Sequence, residues 1–521
     1  MKTRVQTKKH MRLPLLLVLF LSAIITFSQT NGDQIFSENQ VLKVELQFSQ
    51  PSFWDSLVAN YTTETYMKAD VTITDNTGIY TFNEIGIRLK GNSSYGHPGD
   101  KKSFKIDFNR YFDSLDYDGL NKLNFNNCFK DPTFMREKIV YDLSTAAGVH
   151  APRCNYAEIY MNDIYWGFYN VVEQVDDDFL KTHFDNKSEN LFKAGAAFGG
   201  GTYYADLKYY GTDTIAYQNR YSLENNSTEN NWTDLMDLTR FINNSTDEVF
   251  ADSLSYYFDR DELIKSLVID NLFSNLDSYT NSARNYYIYH NGNTGLWEWI
   301  KWDCNEAFGS YSGGMGGAGG VDLIELEPGY FGLNRPLLER IVSIAGTRAI
   351  YDDWYCEIKN NYFTSDYLDP IIDDLQYLIQ SYVYGDDNKM YSDAEFDENI
   401  ESDIISGGPM ASTIYGLRSF VDERNSYLED VVDCVANSMN ETIGDNLFIQ
   451  IYPNPATEKI FIYSDVTSIN IELLDLSGNI LMTDELNGSV IELDISQLAA
   501  GIYFLKAGSE KIFTVERLVK L

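Results

Sequence analysis

From Val41 to about Phe108 apolar residues fall at every second position, and this alternation constrains the fold more than any other feature of the chain. Val71 and Ile73, then Ile85, Ile87 and Leu89, then Phe104, Ile106 and Phe108 each read as the buried face of a strand. Asp75-Asn76-Thr77-Gly78 supplies a turn, and Gly91-Asn92-Ser93-Ser94-Tyr95-Gly96-His97-Pro98-Gly99 a flexible loop between two strands. The period then changes. A helix is expected with Asp131 as its cap, Pro132 in its first turn, Met135, Ile139 and Leu143 on one face, and Gly148 as its stop. Strands Tyr156–Met161 and Trp166–Glu173 turn at Asn162-Asp163, and Asp176-Asp177-Asp178 starts another helix. Asp259 caps a helix with Ile264, Leu267, Val268 and Leu272 on one face, followed by a hairpin of Tyr286–His290 and Leu296–Trp302. A glycine-dense loop, Gly309 to Gly320, and helices near Pro336–Ile344, Tyr367–Tyr384 and Leu417–Val435 complete this part. The fold class is therefore α+β.

After about Thr442 the character shifts to short alternating strands separated by Gly-, Asn- and Ser-containing turns, which predicts a small antiparallel β-sandwich. At the other end Lys2, Arg4, Lys8, Lys9 and Arg12 precede an apolar run from Leu13 to about Ile25. That is the pattern of a secretory signal peptide over residues 1–29, too short for a comfortable membrane span. No later stretch approaches the length of a membrane span, so no stable transmembrane segment is expected after its removal. The five cysteines are scattered, odd in number and without metal-ligand spacing, so neither a zinc site nor a disulfide framework is expected. With 40 Lys plus Arg against 77 Asp plus Glu, the net charge is −37, which argues against a nucleic-acid partner. An anionic small molecule would need a local basic pocket or a bridging cation.

Two acidic segments could carry chemistry. Asn275-Leu276-Asp277-Ser278-Tyr279-Thr280-Asn281 precedes the hairpin, and Trp302-Asp303-Cys304-Asn305-Glu306-Ala307-Phe308-Gly309 leaves it. A hairpin returns the chain near its start, so Asp277 and Asp303 should face one space. One carboxylate there can take a hydroxyl proton while the other holds a divalent cation, the division of labour in phosphoryl transfer. The plain alternative is that Asp277 caps a turn and Asp303 pairs with a nearby basic residue. Lys105 points away from the buried Phe104 and Ile106 and could reach phosphate oxygens, with Arg88 and Lys90 as rivals on the preceding strand. The Gly91–Gly99 loop, with Ser94 in it, could close over phosphates, and Glu173 ends a strand where a hinge would offer backbone hydrogen bonds to adenine.

At these residues the chain resembles the CotH family of spore-coat-type secreted atypical protein kinases. The resemblance rests on Arg88-Leu89-Lys90-Gly91-Asn92-Ser93-Ser94, Lys102–Ile106, Tyr160–Tyr169 with Glu173, Asn275–Asp277, Asn285–Tyr289, Trp302-Asp303 with Phe308-Gly309, and Arg335-Pro336-Leu337. It implies a kinase-like domain over residues 35–440 that transfers the γ-phosphate of ATP, with Mg²⁺ or Mn²⁺, to Ser/Thr of an unknown protein substrate. Asp277 is then the catalytic aspartate and Asp303 the metal aspartate. Asn305 stands where the family usually has a second acid, and Asn281 and Asn285 are alternative candidates to complete the metal set. A catalytically inactive pseudokinase acting as a surface binding or adhesion protein is the alternative. Residues 445–521 resemble the type A sorting domain of the type IX secretion system, through Tyr452-Pro453-Asn454-Pro455, Asp475-Leu476-Ser477-Gly478, Leu498–Phe504 and Val515–Leu521. This implies the type IX machinery as a partner and a secreted or outer cell-surface location.

Overall fold

The structure is a computed structural model. It describes residues 30–37, 40–195, 203–311, 335–405, 413–432 and 434, then 449–452, 454, 456–464, 468–474, 480–487, 490–499, 501–508 and 513–520. The signal-peptide reading on residues 1–29, most of the glycine-dense loop and the Asp475–Gly478 motif lie outside these residues. The chain divides into two compact units, Met1–Arg424 and Asn425–Leu521.

In the first unit the alternating stretch becomes a closed barrel. Its strands are β1 (Val41–Gln47), β2 (Met67–Thr74), β3 (Ile79–Leu89), β4 (Phe104–Asp107), β5 (Lys122–Asn126), β6 (Cys154–Met161) and β7 (Ile164–Glu173), in the order β1-β2-β3-β4-β5-β7-β6. Helix α1 (Phe53–Asn60) lies in the β1–β2 connection and packs on β3. The barrel closes where β1 runs parallel to β6, with Val44 opposite Ile159. Closure leaves no unpaired edge. Val71, Ile73, Ile85, Ile87, Leu89, Phe104, Ile106 and Phe108 are all buried in one core, as their alternation requires. The Asn162-Asp163 turn has φ of 49° and 64°, the left-handed pair that matches hairpin twist.

Helix α2 (Arg136–Ala146) starts four residues later than expected. Asp131 is not its cap residue, because the carboxylate is committed to a buried ion pair with Arg136 at 2.6 Å while also accepting from the Arg136 N–H at 3.0 Å. Gly148, at φ 77°, does end the helix. Helix α3 (Asp177–Phe184) is capped by Asp176, which accepts from the Asp178 N–H.

A four-stranded sheet follows, in the order β11-β10-β8-β9, from β8 (Leu191–Ala194), β9 (Tyr221–Leu223), β10 (Tyr286–Asn291) and β11 (Leu296–Lys301). Around it lie α4 (Thr214–Gln218), α5 (Thr233–Asn244), α6 (Asp247–Tyr257) and α7 (Arg260–Leu272). Asp259 caps α7 through the Glu262 N–H. The helix is buried on almost every side, not on one face. Its polar residues are paired: Asp270 meets Lys301 at 2.8 Å, and Asn271 accepts from Tyr355 at 2.9 Å. Helices α8 (Pro336–Ser343), α9 (Ala345–Asn361), α10 (Ser365–Tyr384), α11 (Asp393–Glu401) and α12 (Leu417–Val431), with the short pair β12 (Ile404–Ile405) and β13 (Thr413–Ile414), complete the helical part.

The cysteine expectation needs correcting. Cys356 is disulfide-bonded, whereas Cys128, Cys154 and Cys304 are free and buried. Spacing along the sequence carries no sign of such a crosslink, which depends on tertiary proximity.

The second unit contains two antiparallel sheets. One is β14 (Ile449–Tyr452), β15 (Lys459–Ser464) and β18 (Val490–Asp494); the other is β16 (Ser468–Leu474), β17 (Ile480–Asn487), β19 (Gly501–Gly508) and β20 (Phe513–Lys520), in the order β17-β16-β19-β20. They share an apolar core to which Ile460 and Ile462 contribute from one sheet and Ile471, Leu473, Leu505 and Leu518 from the other. Among the described residues no helix is long and apolar enough to cross a membrane.

Candidate active site

A cavity of about 580 Å³ opens between the barrel wall and the β10–β11 hairpin. Its basic side comes from β3, β4 and β8. Register places Arg88 opposite Lys105, and Lys105 opposite Asn124, so the polar faces of β3, β4 and β5 look the same way. Arg88 is paired with Glu64 at 3.2 Å. Lys90 is held by the side-chain oxygens of Asn124 (3.1 Å) and Asn126 (2.8 Å) and lies 5.5 Å from the centre of the Trp302 ring. Lys193 approaches the same ring at 5.4 Å. Among the described residues Lys90, Lys105 and Lys193 form no ion pair, and all three line the cavity. Burial, opposed by the charges of Asp303 and Glu137, brings the Lys90 ammonium down to about 8. Burial and then the neighbouring cations Arg88, Lys90 and Lys193 push Lys105 well below its usual range.

The acidic side is built by the hairpin and its entry loop. Asp277 follows α7 and accepts from Asn285 at 2.9 Å. Asp303 follows β11 at φ 57°, with its N–H donated to the Tyr141 hydroxyl at 2.8 Å. Both aspartates line the cavity. Burial raises each carboxyl, and the charge of Asp277 raises that of Asp303 further, while Lys90 and Lys193 pull it down. The Asn305 amide donates to the Phe129 carbonyl at 2.7 Å, leaving its oxygen as the end able to coordinate. Asn285 spends its amide N–H on Asp277 in the same way. An oxygen-only set of Asp303, Asn305 and Asn285 fits a hard divalent cation such as Mg²⁺ or Mn²⁺.

The first part of the Gly91–Gly99 loop, Gly91 to Ser94, lines this space. Gly91 has φ 99°, and a Cβ there would collide with the Ser94 hydroxyl, so a side chain at this position would force the loop away. Tyr61 anchors the loop by donating to the Gly91 carbonyl at 2.5 Å.

Two expected residues are elsewhere. Glu173 does not line the cavity, because its carboxylate is engaged by Arg153 at 2.6 Å and lies 3.4 Å from His183. Gln174, the next residue, reaches the cavity instead. Asn281 is held by the Leu276 carbonyl at 3.1 Å, while its own backbone oxygen accepts from Arg335. Burial alone would raise Glu173, but hydrogen bonds from His183 and Arg153 together with their charges bring it to about 2. A carboxyl depressed on folding stabilises the protein above its unfolded pKa, and that stabilisation is lost as pH falls through the folded value. The stability gap between wild type and Glu173→Gln is therefore expected to shrink steadily from about pH 5 towards pH 2 in acid denaturation. A gap independent of pH over that window would contradict the ion pair.

Sequence reasoning missed Lys193, Arg284 and Glu137, which all line the cavity. Glu137 accepts from Asn126 (2.9 Å) and Tyr141 (3.1 Å), and burial together with the Asp303 charge raises it to about 7.

The fold and cavity define an α+β protein whose basic pocket faces paired aspartates. Residues 87–428 match the CotH kinase protein family, and the chain belongs to that family. Residues 450–521 match the secretion system C-terminal sorting domain, the type IX tail that directs the protein to the cell surface and implies the type IX machinery as its partner. The inner spore coat protein H of Bacillus subtilis (strain 168) is 26% identical over 355 residues, covering 67% of this chain and 87% of the relative. Among solved structures, PorZ, a bacterial surface component of the type IX secretion system of Porphyromonas gingivalis, is 17% identical. That likeness spans 14% of this chain and 11% of that one, with a TM-score of 0.13, and carries no argument.

Proposed function

We propose that the first unit is a kinase-like domain that transfers the γ-phosphate of ATP to Ser/Thr hydroxyls of a protein at the exported cell surface, and that the tail is a β-sandwich. One observation carries the reading. In a chain of net charge −37, three lysines that among the described residues have no ion-pair partner, Lys90, Lys105 and Lys193, converge on one cavity opposite two aspartates. Unpaired, part-buried cations are costly, and an anion that meets all three relieves the cost. A triphosphate suits them.

In this reading Asp277 takes the proton of the incoming hydroxyl as its oxygen bonds to the γ-phosphorus and the bond to the leaving ADP oxygen breaks. Asp303, with the amide oxygens of Asn305 and Asn285, would hold Mg²⁺ or Mn²⁺, which when bound supplies neutralisation of the phosphate charge. Lys105 and Lys90 steady phosphate oxygens, and the Gly91–Gly99 loop covers them. The help given is positional and electrostatic.

The test is the melting temperature of the purified protein with ATP and metal, because a ligand stabilises by RT ln(1 + [L]/Kd). Lys105→Met is expected to weaken nucleotide binding roughly 10- to 100-fold, the worth of one charge-assisted hydrogen bond. The same variant should be no less stable than wild type without nucleotide. An unchanged nucleotide-induced shift in Lys105→Met would remove Lys105 from the site. The inactive reading is favoured by Asn305, whose amide brings an oxygen without charge and so weakens the metal site. A melting shift without labelled-phosphate transfer supports that second reading.

A further inference from the structure

A second cluster lies outside the cavity. His150, in the segment between α2 and β6, Glu262, in the first turn of α7, and Glu298, on β11, present ligand atoms all within 4.8 Å of one another. We propose that these three residues hold one Zn²⁺, with water as the fourth ligand, and that the ion clasps α7 to the β10–β11 hairpin.

Both carboxylates are buried, each residue being only 6% exposed, and among the described residues neither has a lysine or arginine within ion-pair distance. One oxygen of each is fixed by a neighbour: Glu262 accepts from the His150 N–H at 2.8 Å, and Glu298 accepts from the Asn291 amide at 2.9 Å. The remaining oxygen of Glu298 accepts from no donor among the described residues. The other Glu262 oxygen is 3.6 Å from the His150 Nε2, too long for a good hydrogen bond. Two ligands that each bind zinc at about 2.0–2.2 Å in a tetrahedral site sit close to that separation. Carboxylates fixed through one oxygen while the other faces an imidazole are what a second shell does for a metal site. An imidazole nitrogen beside two carboxylates disfavours calcium and magnesium, which prefer all-oxygen sets, and suits zinc. The His150 side chain is 32% exposed, which leaves a route for the ion and a place for water.

The position gives the ion a purpose. Helix α7 leads into the Asp277 loop and β11 leads into Asp303, so joining Glu262 to Glu298 fixes the two supports of the cavity to each other.

Elemental analysis of the full chain after dialysis against zinc and then metal-free buffer tests this. One zinc per chain is expected in wild type and in Asp303→Asn, and none in Glu298→Gln. Chelator treatment should lower the melting temperature of wild type by several degrees and leave that of Glu298→Gln unchanged. His150→Gln, which alters neither α7 nor β11, should lose zinc likewise and serves if Glu298→Gln folds poorly. Zinc retained by both His150→Gln and Glu298→Gln, zinc lost only in Asp303→Asn, or no zinc bound to wild type overturns the proposal.

Discussion

Replacing Asp303 by alanine is expected to lower phosphate transfer from ATP at least about 10³-fold, the largest kinetic effect of any single change in the cavity. In the proposed metal set Asp303 would be the charged member, since Asn305 and Asn285 offer only amide oxygens. Without it the nucleotide would meet Asp277 and Glu306 with no metal between them. Asp277→Ala should cost less, about 10²-fold, because it removes proton acceptance and alignment while leaving the cation ligands in place. The two variants therefore separate by a second measurement. Asp277→Ala should keep the melting shift produced by ATP with metal, and Asp303→Ala should lose most of it. Labelled-phosphate incorporation with Mg²⁺ or Mn²⁺, wild type beside both variants, decides the matter. Equal incorporation in all three would remove both residues from the chemistry.

Asp277 and Asp303 could be paired from the sequence because one hairpin separates them, and a hairpin has a single geometric outcome. Lys193 had no such frame. It sits in a four-residue strand whose place beside β10 is fixed by pairing with Tyr287, 94 residues further along. Glu137 was hidden for a different reason. A helix read from one apolar face is assumed to turn its polar face to water, yet α2 buries Arg136, Glu137 and Ser144 as well as Ile139 and Leu143. The His150–Glu262–Glu298 cluster draws its ligands from three separate segments, and no spacing rule joins them.

The barrel shows the same division between face and partner. Alternation states which side chains of β2, β3 and β4 are buried, and they are. It says nothing about which strand lies beside which, so the parallel seam of β1 with β6 and the presence of β5 were not legible. Several helices went unread because their starts lack a capping side chain: α5 follows Trp232 and α9 follows Ile344, and neither residue caps its helix with a side-chain hydrogen bond. Their apolar faces pack against the rest of the fold, and tertiary burial replaces the local signal.

Arg136→Met is expected to destabilise the first unit by about 3–5 kcal/mol, the cost of stranding a buried charge. Arg136 is fully buried and binds Asp131 at 2.6 Å, the Asn399 side chain at 2.8 Å and the Tyr415 carbonyl at 2.5 Å. One guanidinium thus joins the start of α2 to α11 and to the approach to α12. Removing it leaves the Asp131 carboxylate in a site that is 1% exposed. The half-buried surface pair Lys43–Glu45, although only 2.8 Å apart, should by contrast be worth less than about 1 kcal/mol when Lys43 is truncated. Urea denaturation followed by tryptophan fluorescence reads the right unit, because all seven tryptophans precede residue 425. The double variant Asp131→Ala/Arg136→Met should recover part of the loss, since it removes the stranded charge together with its partner. A single-variant loss below about 1 kcal/mol would mean that water reaches Asp131, and that the α2 start carrying Glu137 into the cavity is held by apolar packing instead of by this ion pair.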